Sequence, residues 1–181
     1  MRQKHSIYRI LLAFTGALMT ASAMAQETEP AKPTTLSETY DTWTVQCANS
    51  QPQEGQPAQR QCQMSQELLQ QESRQRMLLF AVTKGEGDAK ATLIMPFGLR
   101  LSEGIRIDIA EKELARGAFN TCLPAGCLVE IDLPEATIAQ LQAADKVSIS
   151  MTVHTGQPMK TDVSLKGFAA AYRRLLALAA D

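Results

Sequence analysis

The stretch IRIDI at residues 105–109 has the clearest two-residue periodicity in the chain, with isoleucine at every second position. Successive side chains of a β-strand point to opposite faces of the sheet, so this alternation predicts a strand with one buried and one solvated face. Residues 40–47 (YDTWTVQC) alternate in the same way. A strand there places Trp43, Val45 and Cys47 on one shared face.

Six more segments are predicted to be short strands. Segment 77–83 (MLLFAVT) is continuously apolar, which is typical of a strand that is buried on both faces. The others are separated by turn signals rich in glycine and proline, and eight short strands spaced in this way predict a mainly β protein, a β-sandwich. The six segments are 62–66, 77–83, 91–96, 128–133, 147–154 and 159–165.

Two segments have helical periodicity instead. Residues 135–144 follow Pro134 and carry Ile138 and Leu141 at helical spacing, which predicts one short helix. Residues 168–180 predict a C-terminal amphipathic helix that packs on the sandwich. Residues 66–76 are compatible with either a short helix or a polar connection. The predicted apolar stripe of the C-terminal helix consists of Phe168, Tyr172, Leu175, Leu176 and Ala179.

The first 25 residues have the features of a secretory signal peptide. Three positive charges (Arg2, Lys4 and Arg9) precede an apolar stretch over residues 10–21, and Ala23-Met24-Ala25 provides the small residues of a cleavage site before Gln26. The apolar stretch is too short for a confident transmembrane helix. Residues 26–38, rich in Pro, Thr and Glu, are predicted to be a flexible tail, and residues 39–181 a single β-sandwich domain.

Charge and histidine content exclude some classes of function. The chain has 18 basic and 19 acidic residues, and removal of residues 1–25 takes away three basic residues and no acidic one. The mature protein is therefore mildly acidic, which disfavours binding to nucleic acid. His154 is the one histidine outside the signal peptide, so a site that needs two histidine ligands is excluded. We expect no metal and no cofactor.

The four cysteines, Cys47, Cys62, Cys122 and Cys127, all lie in the mature part. An even number of cysteines in an exported protein predicts two disulfides. We favour the pairing of Cys47 with Cys62 and of Cys122 with Cys127, because each pair flanks a hairpin or a tight loop. The alternative is a metal site with four thiolate ligands, but such sites usually have two short Cys-x2-Cys spacings that are absent here.

No catalytic motif of a hydrolase, a metalloprotease or a nucleotide-binding enzyme occurs in the mature chain. His154 ends a predicted strand, and an isolated histidine there is usually a solvated surface residue. The carboxylates near strand ends are expected to solvate the rim rather than to form a two-carboxylate site, and the methionines are expected to pack in the core. The weighed residues are Ser148, Ser150 and Ser164 with His154; Glu103 with Asp108; Asp132 with Glu135; and Met64, Met77, Met95, Met151 and Met159.

Several short motifs follow one another along the mature chain: 43–47 (WTVQC), 62–66 (CQMSQ), 96–99 (PFGL), 104–108 (GIRID), 122–127 (CLPAGC) and 163–168 (VSLKGF). In this order they resemble the invasion-associated locus B family of exported bacterial proteins. The likeness spans the chain from about Tyr40 to Leu178. It implies an immunoglobulin-like β-sandwich and an exported or envelope protein, linked in pathogenic members with host-cell entry. It implies no catalytic residue.

The sequence therefore predicts a non-catalytic exported interaction protein. We expect it in the periplasm, secreted or associated with the outer envelope, with an unknown protein or an envelope surface as its partner. We expect no nucleic-acid partner and no transmembrane span in the mature chain. Two alternatives remain: a periplasmic hydrolase that uses His154 or a carboxylate pair, and a thiol- or metal-handling protein that uses Cys122 and Cys127.

Overall fold

A computed structural model describes residues 35–49, 59–85 and 87–179 of the chain. The expected signal peptide and its cleavage site lie outside these residues. Within them the chain forms eleven strands, two α-helices and one short 3-10 helix. In chain order these are β1 (Thr35–Tyr40), β2 (Trp43–Asn49), β3 (Arg60–Leu69), β4 (Arg76–Lys84), β5 (Ala89–Met95), the 3-10 helix (Leu101–Glu103), β6 (Ile105–Ile109), β7 (Lys112–Gly117), β8 (Phe119–Leu123), β9 (Gly126–Leu133), α1 (Glu135–Ala143), β10 (Lys146–Thr152), β11 (Pro158–Ser164) and α2 (Phe168–Ala179).

The described strands form two antiparallel sheets. The larger sheet has seven strands in the order β1-β2-β3-β4-β5-β9-β8, and the smaller has four in the order β11-β10-β6-β7. The first five strands of the larger sheet are consecutive in the sequence, as expected for antiparallel neighbours joined by short turns. Each of the eight predicted strands overlaps an observed strand. The predicted mainly β sandwich, with one short helix and a C-terminal amphipathic helix, is confirmed.

The register of the larger sheet directs one face of its central strands into the core. Val45 lies opposite Met64, and Met64 lies opposite Val82, and all three side chains are fully buried. Trp43 is buried on the same face of β2. Its ring meets the rings of Phe80 and Phe168 edge to face, at centroid distances of 5.6 and 5.0 Å. Trp43 therefore joins the larger sheet to the first residue of α2.

The two helices occupy the predicted positions, with one difference in the buried stripe. Helix α1 buries Ile138 and Leu141, as predicted. In α2 the predicted stripe included Leu176 and Ala179, but both are exposed. Because 3.6 residues make one turn of an α-helix, the buried face that starts at Phe168 passes through Leu175 and Leu178 and does not include Leu176 or Ala179. The buried residues of α2 are Phe168, Ala171, Tyr172, Leu175 and Leu178.

Strand β1 corrects the prediction of a flexible tail over residues 26–38. The strand begins at Thr35, so the last four residues of that segment pair with β2 in the larger sheet. Glu38 is half-buried in the middle of β1, and its carboxylate accepts two hydrogen bonds of 2.8 Å from the Arg174 guanidinium. The sequence does not show the alternation of β1 clearly, because Glu38 occupies its inward face. The partner of this glutamate, Arg174, lies 136 residues away in the chain.

Two more strands carry no clear alternation and are not predicted from the sequence. Strand β7 (KELARG) and strand β8 (FNTCL) each lie at the edge of a sheet. An edge strand has one neighbour, so fewer of its side chains are buried and the apolar pattern is weaker. Segment 66–76 contains the end of β3, a turn and the start of β4, which agrees with the polar connection rather than with the helix. The turn closes with a hydrogen bond from the Gln70 amide to the Gln75 carbonyl at 2.8 Å.

Candidate functional site

All four cysteines are in disulfide bonds, which pair Cys47 with Cys62 and Cys122 with Cys127. Both bonds link neighbouring strands of the larger sheet at directly opposed positions. With the sulfur atoms bonded to one another, none of them is a free thiolate that could bind a metal or act as a nucleophile. Across the described ranges, no group of three or more His, Cys, Asp or Glu side chains is arranged to hold a metal ion.

The structure does not bring His154 together with the serines that the sequence offered as partners. His154 is exposed, and its Nδ1 lies 3.2 Å from the carbonyl oxygen of Gly98. The Ser148 hydroxyl donates to Asp162 at 2.5 Å, and the Ser164 hydroxyl accepts a hydrogen bond from a backbone amide at 3.3 Å. These contacts hold the two serines elsewhere and form no nucleophile–base pair of the kind that a serine hydrolase needs.

The candidate carboxylates are held by basic side chains. Glu103 is bound by Arg100 at 2.9 Å, Asp108 by Arg106 at 3.0 Å, and Asp132 by Lys90 at 2.7 Å. Glu135 lies in the first turn of α1, where a negative charge is favourable. Each of the three ion-paired carboxylates therefore has a local electrostatic role. Glu103 and Asp132 are exposed, as expected for charges at a rim, whereas Asp108 is buried, which corrects the expectation for this residue.

The methionines divide between the core and the surface. Met64, Met95 and Met151 are buried, and Met159 is partly buried against the core. These four side chains pack as the sequence predicted. Met77 is different, because it is 37% exposed at the start of β4.

Met77 belongs to a group of exposed apolar side chains at one end of the sandwich. The other three are Phe97 and Leu101, in the loop between β5 and β6, and Leu123, at the end of β8. Phe97 is 63% exposed, the largest value among the exposed large hydrophobics in the described part of the chain. Large apolar side chains that gather on a surface mark sites of interaction. We call Met77, Phe97, Leu101 and Leu123 the apolar end.

The sheet register places these four residues at the same end. Met95, the last residue of β5, lies opposite Cys127 of β9, so the β8–β9 turn with Leu123 is beside the start of the β5–β6 loop. Leu79, which is two residues after Met77 in β4, lies opposite Ile94 of β5. Met77 is therefore also near the end of β5. The fifth exposed large hydrophobic, Leu176, lines a groove with Lys84 and Asp88 of the β4–β5 hairpin, at the opposite end.

Backbone hydrogen bonds hold the β5–β6 loop in place. The His154 amide donates to the Gly98 carbonyl at 2.8 Å, and the Arg100 amide donates to the Thr152 carbonyl at 2.8 Å. Between these bonds Leu99 pairs with Val153. Gly98 has φ of +86°, a conformation that glycine adopts without strain. This turn directs Leu99 toward the core and leaves Phe97 on the surface.

Several arginine and glutamate side chains lie near the apolar end. Arg100 binds Glu103, and hydrogen bonds from Thr152 and Arg100 hold the pKa of Glu103 below its usual range. Arg76 binds Glu67 at 2.5 Å beside Met77. Glu72 and Arg74 lie in the turn between β3 and β4. These six side chains are three arginines and three glutamates from the β3–β4 hairpin and the β5–β6 loop.

The outer face of the smaller sheet carries polar and charged side chains that bind one another. Ser148 lies between Asp108 and Asp162 in the sheet register. Asp162 accepts hydrogen bonds from Ser148 and from Lys146, which is 2.6 Å away, and both hold its pKa below the usual range. Across the sheet Arg116 binds Glu113 through two hydrogen bonds. Ser148 and Asp108 are themselves buried on this face, so we interpret it as a surface whose polar groups are satisfied internally.

Sequence reasoning missed the apolar end as a functional candidate. In the sequence the segment 96–99 contributes only to the family resemblance, which implies no role for Phe97. A signal was nevertheless present, because Pro96 and Gly98 flank this aromatic residue and both favour turns. An aromatic side chain in a turn has fewer neighbours to cover it than one in a strand.

Comparisons with known proteins agree with the motifs. The family profile described as invasion associated locus B (IalB) protein matches residues 43–176. An invasion protein B homologue of Brucella abortus (strain 2308) is 34% identical over 174 residues, which cover 94% of this chain and 97% of the relative. Invasion protein B of Bartonella bacilliformis is 30% identical over 175 residues, which cover 88% of this chain and 91% of the relative.

A solved structure shares the fold. The crystal structure of invasion associated protein B from Bartonella henselae superimposes with a TM-score of 0.69 at 29% sequence identity, and the match covers 79% of this chain and 96% of that one. The profile match over most of the described fold, the two relatives and the shared fold lead to one conclusion. The chain belongs to the invasion associated locus B family.

Proposed function

We propose that this protein is an exported, non-enzymatic interaction protein of the cell envelope, and that it contacts its partner through the apolar end. The observation that carries the proposal is the exposure of Phe97 on a loop held by backbone hydrogen bonds. An exposed aromatic side chain on a rigid loop loses little conformational entropy when it binds, so it is well suited to anchor a partner.

The proposal includes export and localisation. The charge pattern of residues 1–25 and the two disulfides support passage into an oxidising compartment, the periplasm or the outer envelope. Among the described residues no helix is long and apolar enough to cross a membrane. The relatives are named for invasion, which supports a partner at or beyond the envelope, and a link with host cells is part of the proposal.

The two alternative functions have less support. A hydrolase needs a base beside a nucleophile or a free carboxylate pair, and the contacts of His154, Ser148 and the three ion-paired acids serve other purposes. Metal binding by Cys122 and Cys127 requires free thiolates, and these two sulfur atoms are bonded to each other. These contacts support the proposal of a binding function.

Photocrosslinking in intact cells tests the proposal. The photoreactive residue p-benzoylphenylalanine replaces Phe97 in one variant and Leu176 in the other. Both positions hold an exposed large hydrophobic residue, and they lie at opposite ends of the molecule. We expect irradiation to yield an adduct with a protein or a lipid from position 97 and none from position 176. The adduct should weaken when Leu123→Ser is added.

The opposite results would overturn the proposal. If position 97 gives no adduct of any kind, the apolar end has no partner in the envelope. If positions 97 and 176 give the same adducts in the same yield, contact is not selective for this end of the molecule.

A further inference from the structure

A groove of about 380 Å³ lies where the two helices meet the β4–β5 hairpin. Residues of α1, α2, the hairpin and the end of β9 line it together, and we call it the helix groove. Leu133, Ile138 and Leu176 give it an apolar wall. Its volume is within the range of sites that hold a small molecule.

Tyr172 contributes a polar group to this groove. The residue is only 8% exposed, and its ring stacks on that of Phe168 with the two planes 6° apart. Its hydroxyl makes no hydrogen bond with a described residue. Within the described ranges every enclosed side-chain polar atom has a hydrogen-bond partner, so the hydroxyl of Tyr172 is not enclosed and reaches into the groove that the residue lines. A largely buried tyrosine usually directs its hydroxyl to a partner, and here the groove leaves that place to a ligand.

The charges of the helix groove favour a cation. Asp88 and Glu135 both line it, and neither carboxylate forms an ion pair with a described residue. Burial raises the pKa of Tyr172 above its ordinary value of 10.0, and the nearby carboxylates of Glu135 and Asp88 raise it further. Lys84 also lines the groove, but its ammonium group donates a hydrogen bond to the Gly87 carbonyl of its own hairpin. Two unpaired negative charges therefore face one positive charge that is already bound.

These features together define a class of ligand. An ammonium group carries a positive charge and three hydrogen-bond donors, which suit carboxylates and a phenolic oxygen. An attached hydrocarbon body suits the apolar wall. We propose that the helix groove binds a free small primary amine with an apolar body, with the ammonium group beside the Tyr172 hydroxyl and close to Glu135 and Asp88. This site is separate from the apolar end and does not depend on the proposed function.

An NMR titration tests the inference, with the processed protein recovered after export and labelled with ¹⁵N. The probes are 2-phenylethylamine, 2-phenylethanol and 3-phenylpropanoate, which present an ammonium, a hydroxyl and a carboxylate on the same apolar body. We expect the amine to bind saturably and to shift the backbone amide signals of residues 135–142 and 172–176. The alcohol should bind about tenfold more weakly, because it has no charge to interact with the two carboxylates. The acid should not bind.

Two variants separate the contributions of the polar groups. Tyr172→Phe keeps the stacked ring and removes the hydroxyl, so it should weaken binding of the amine about fivefold, the usual effect of one hydrogen bond. The double variant Asp88→Asn/Glu135→Gln should weaken it about tenfold. Glu72→Gln/Glu111→Gln is the matched control, because it removes two exposed carboxylates that do not line the groove, and it should have no effect. Circular dichroism checks that each variant is folded.

A steric pair tests the location without a change of charge. Ala139 is an exposed residue of α1 that lines the groove, so Ala139→Phe should fill the space and abolish measurable binding of the amine. Ala136 is exposed on the same helix and does not line the groove, so Ala136→Phe should bind the amine as the unmodified protein does.

Several results would contradict the inference. They are the absence of saturable binding of the amine, an equal affinity for the alcohol or the acid, signal shifts confined to other parts of the protein, and an unchanged affinity in Tyr172→Phe or in Asp88→Asn/Glu135→Gln. The photocrosslinking experiment is independent of these results. Because the proposed ligand is a free small molecule, position 176 is still expected to give no protein or lipid adduct.

Discussion

At the residue scale, the segment 164–168 (SLKGF) connects β11 to α2 and contacts residues that are distant in the chain. The Ser164 carbonyl accepts hydrogen bonds from Trp43 Nε1 at 3.0 Å and from Gln66 Nε2 at 2.9 Å. Gln66 is a polar side chain in the core, and its Nε2 also donates to the Thr42 hydroxyl at 2.8 Å, so both hydrogens of the amide nitrogen have an acceptor. Gly167 has φ of +84° and lies against the backbone of Tyr40. The motif thus holds both sheets and α2 together.

Replacement of Gly167 by alanine should destabilise the protein strongly. A Cβ at this position would overlap the Tyr40 carbonyl oxygen, and alanine is also strained at this φ. We expect Gly167→Ala to lower the free energy of unfolding by roughly 3 kcal/mol or more. Urea denaturation measures the change.

Gly156→Ala is the matched control. Gly156 has φ of +90°, so it carries the same backbone strain, but its Cβ would meet the flexible side chain of Arg100. We expect a loss of about 1 kcal/mol. Equal losses of unfolding free energy in the two variants would show that the close approach to Tyr40 does not contribute to the effect of Gly167→Ala.

At the scale of elements, the two disulfides reinforce opposite ends of the larger sheet. Cys47 and Cys62 lie where β2 ends and β3 begins, near the edge formed by β1. Cys122 and Cys127 lie where β8 ends and β9 begins, at the other edge and beside the apolar end. The first bond therefore holds the hairpin next to β1, and the second holds the turn that carries Leu123.

The two bonds should contribute unequally to stability. The Cys47–Cys62 bond spans 15 residues and the Cys122–Cys127 bond spans 5. The longer loop restricts the unfolded chain more, so its removal should cost about 1 kcal/mol more, within the usual range of about 2–5 kcal/mol per bond. The double variants Cys47→Ala/Cys62→Ala and Cys122→Ala/Cys127→Ala avoid free thiols, and their unfolding curves give the comparison. A larger loss for the shorter bond would contradict the loop-entropy account.

At the scale of the whole molecule, several carboxylates lie beside basic partners, some on another element and some on the same one. Arg174 and Tyr40 donate hydrogen bonds to Glu38 and hold its pKa below the ordinary value of 4.5. Arg116 lowers the pKa of Glu113, and Lys146 and Ser148 lower the pKa of Asp162. The pKa of Glu103 is also lowered, by hydrogen bonds from Thr152 and Arg100. These contacts join β1 to α2 and stabilise both ends of the smaller sheet.

The pKa shifts predict how stability depends on pH. A carboxylate whose pKa is lower in the folded state binds its proton more weakly there than in the unfolded chain. The stabilisation is complete above the ordinary value of 4.5 for glutamate and is lost as the pH falls through the lower folded value. We expect the free energy of unfolding to fall below about pH 4.5.

Urea denaturation at several pH values, with one matched pair of variants, measures this effect. Glu38→Gln should reduce the loss of stability in acid, because its ion pair is already absent. Glu72→Gln is the control, since its side chain makes no ion pair with a described residue. An unchanged acid profile in Glu38→Gln would contradict the assignment to the Glu38–Arg174 pair.

The sequence by itself determined the features that depend on local pattern. Alternation at residues 105–109 and 40–47 predicted strands, because a strand with one buried face must alternate. The second prediction is correct from Trp43 onward, since a turn at residues 41 and 42 separates β1 from β2. Helical spacing predicted α1 and α2. The pairing of the cysteines also followed from the sequence, since turns between near neighbours bring their strands side by side.

Only the tertiary structure decided which surfaces are covered. Strand β1 pairs with β2 in the sheet, and Arg174, far away in the chain, neutralises its Glu38. Phe97 and Leu99 are both apolar and only two residues apart, yet one is exposed and the other buried, because the segment 152–154 holds the loop between them. Exposure depends on the neighbours that folding brings, and a local pattern does not contain them. For this reason the apolar end can be identified only in the folded structure, where strands that are distant in the sequence lie side by side.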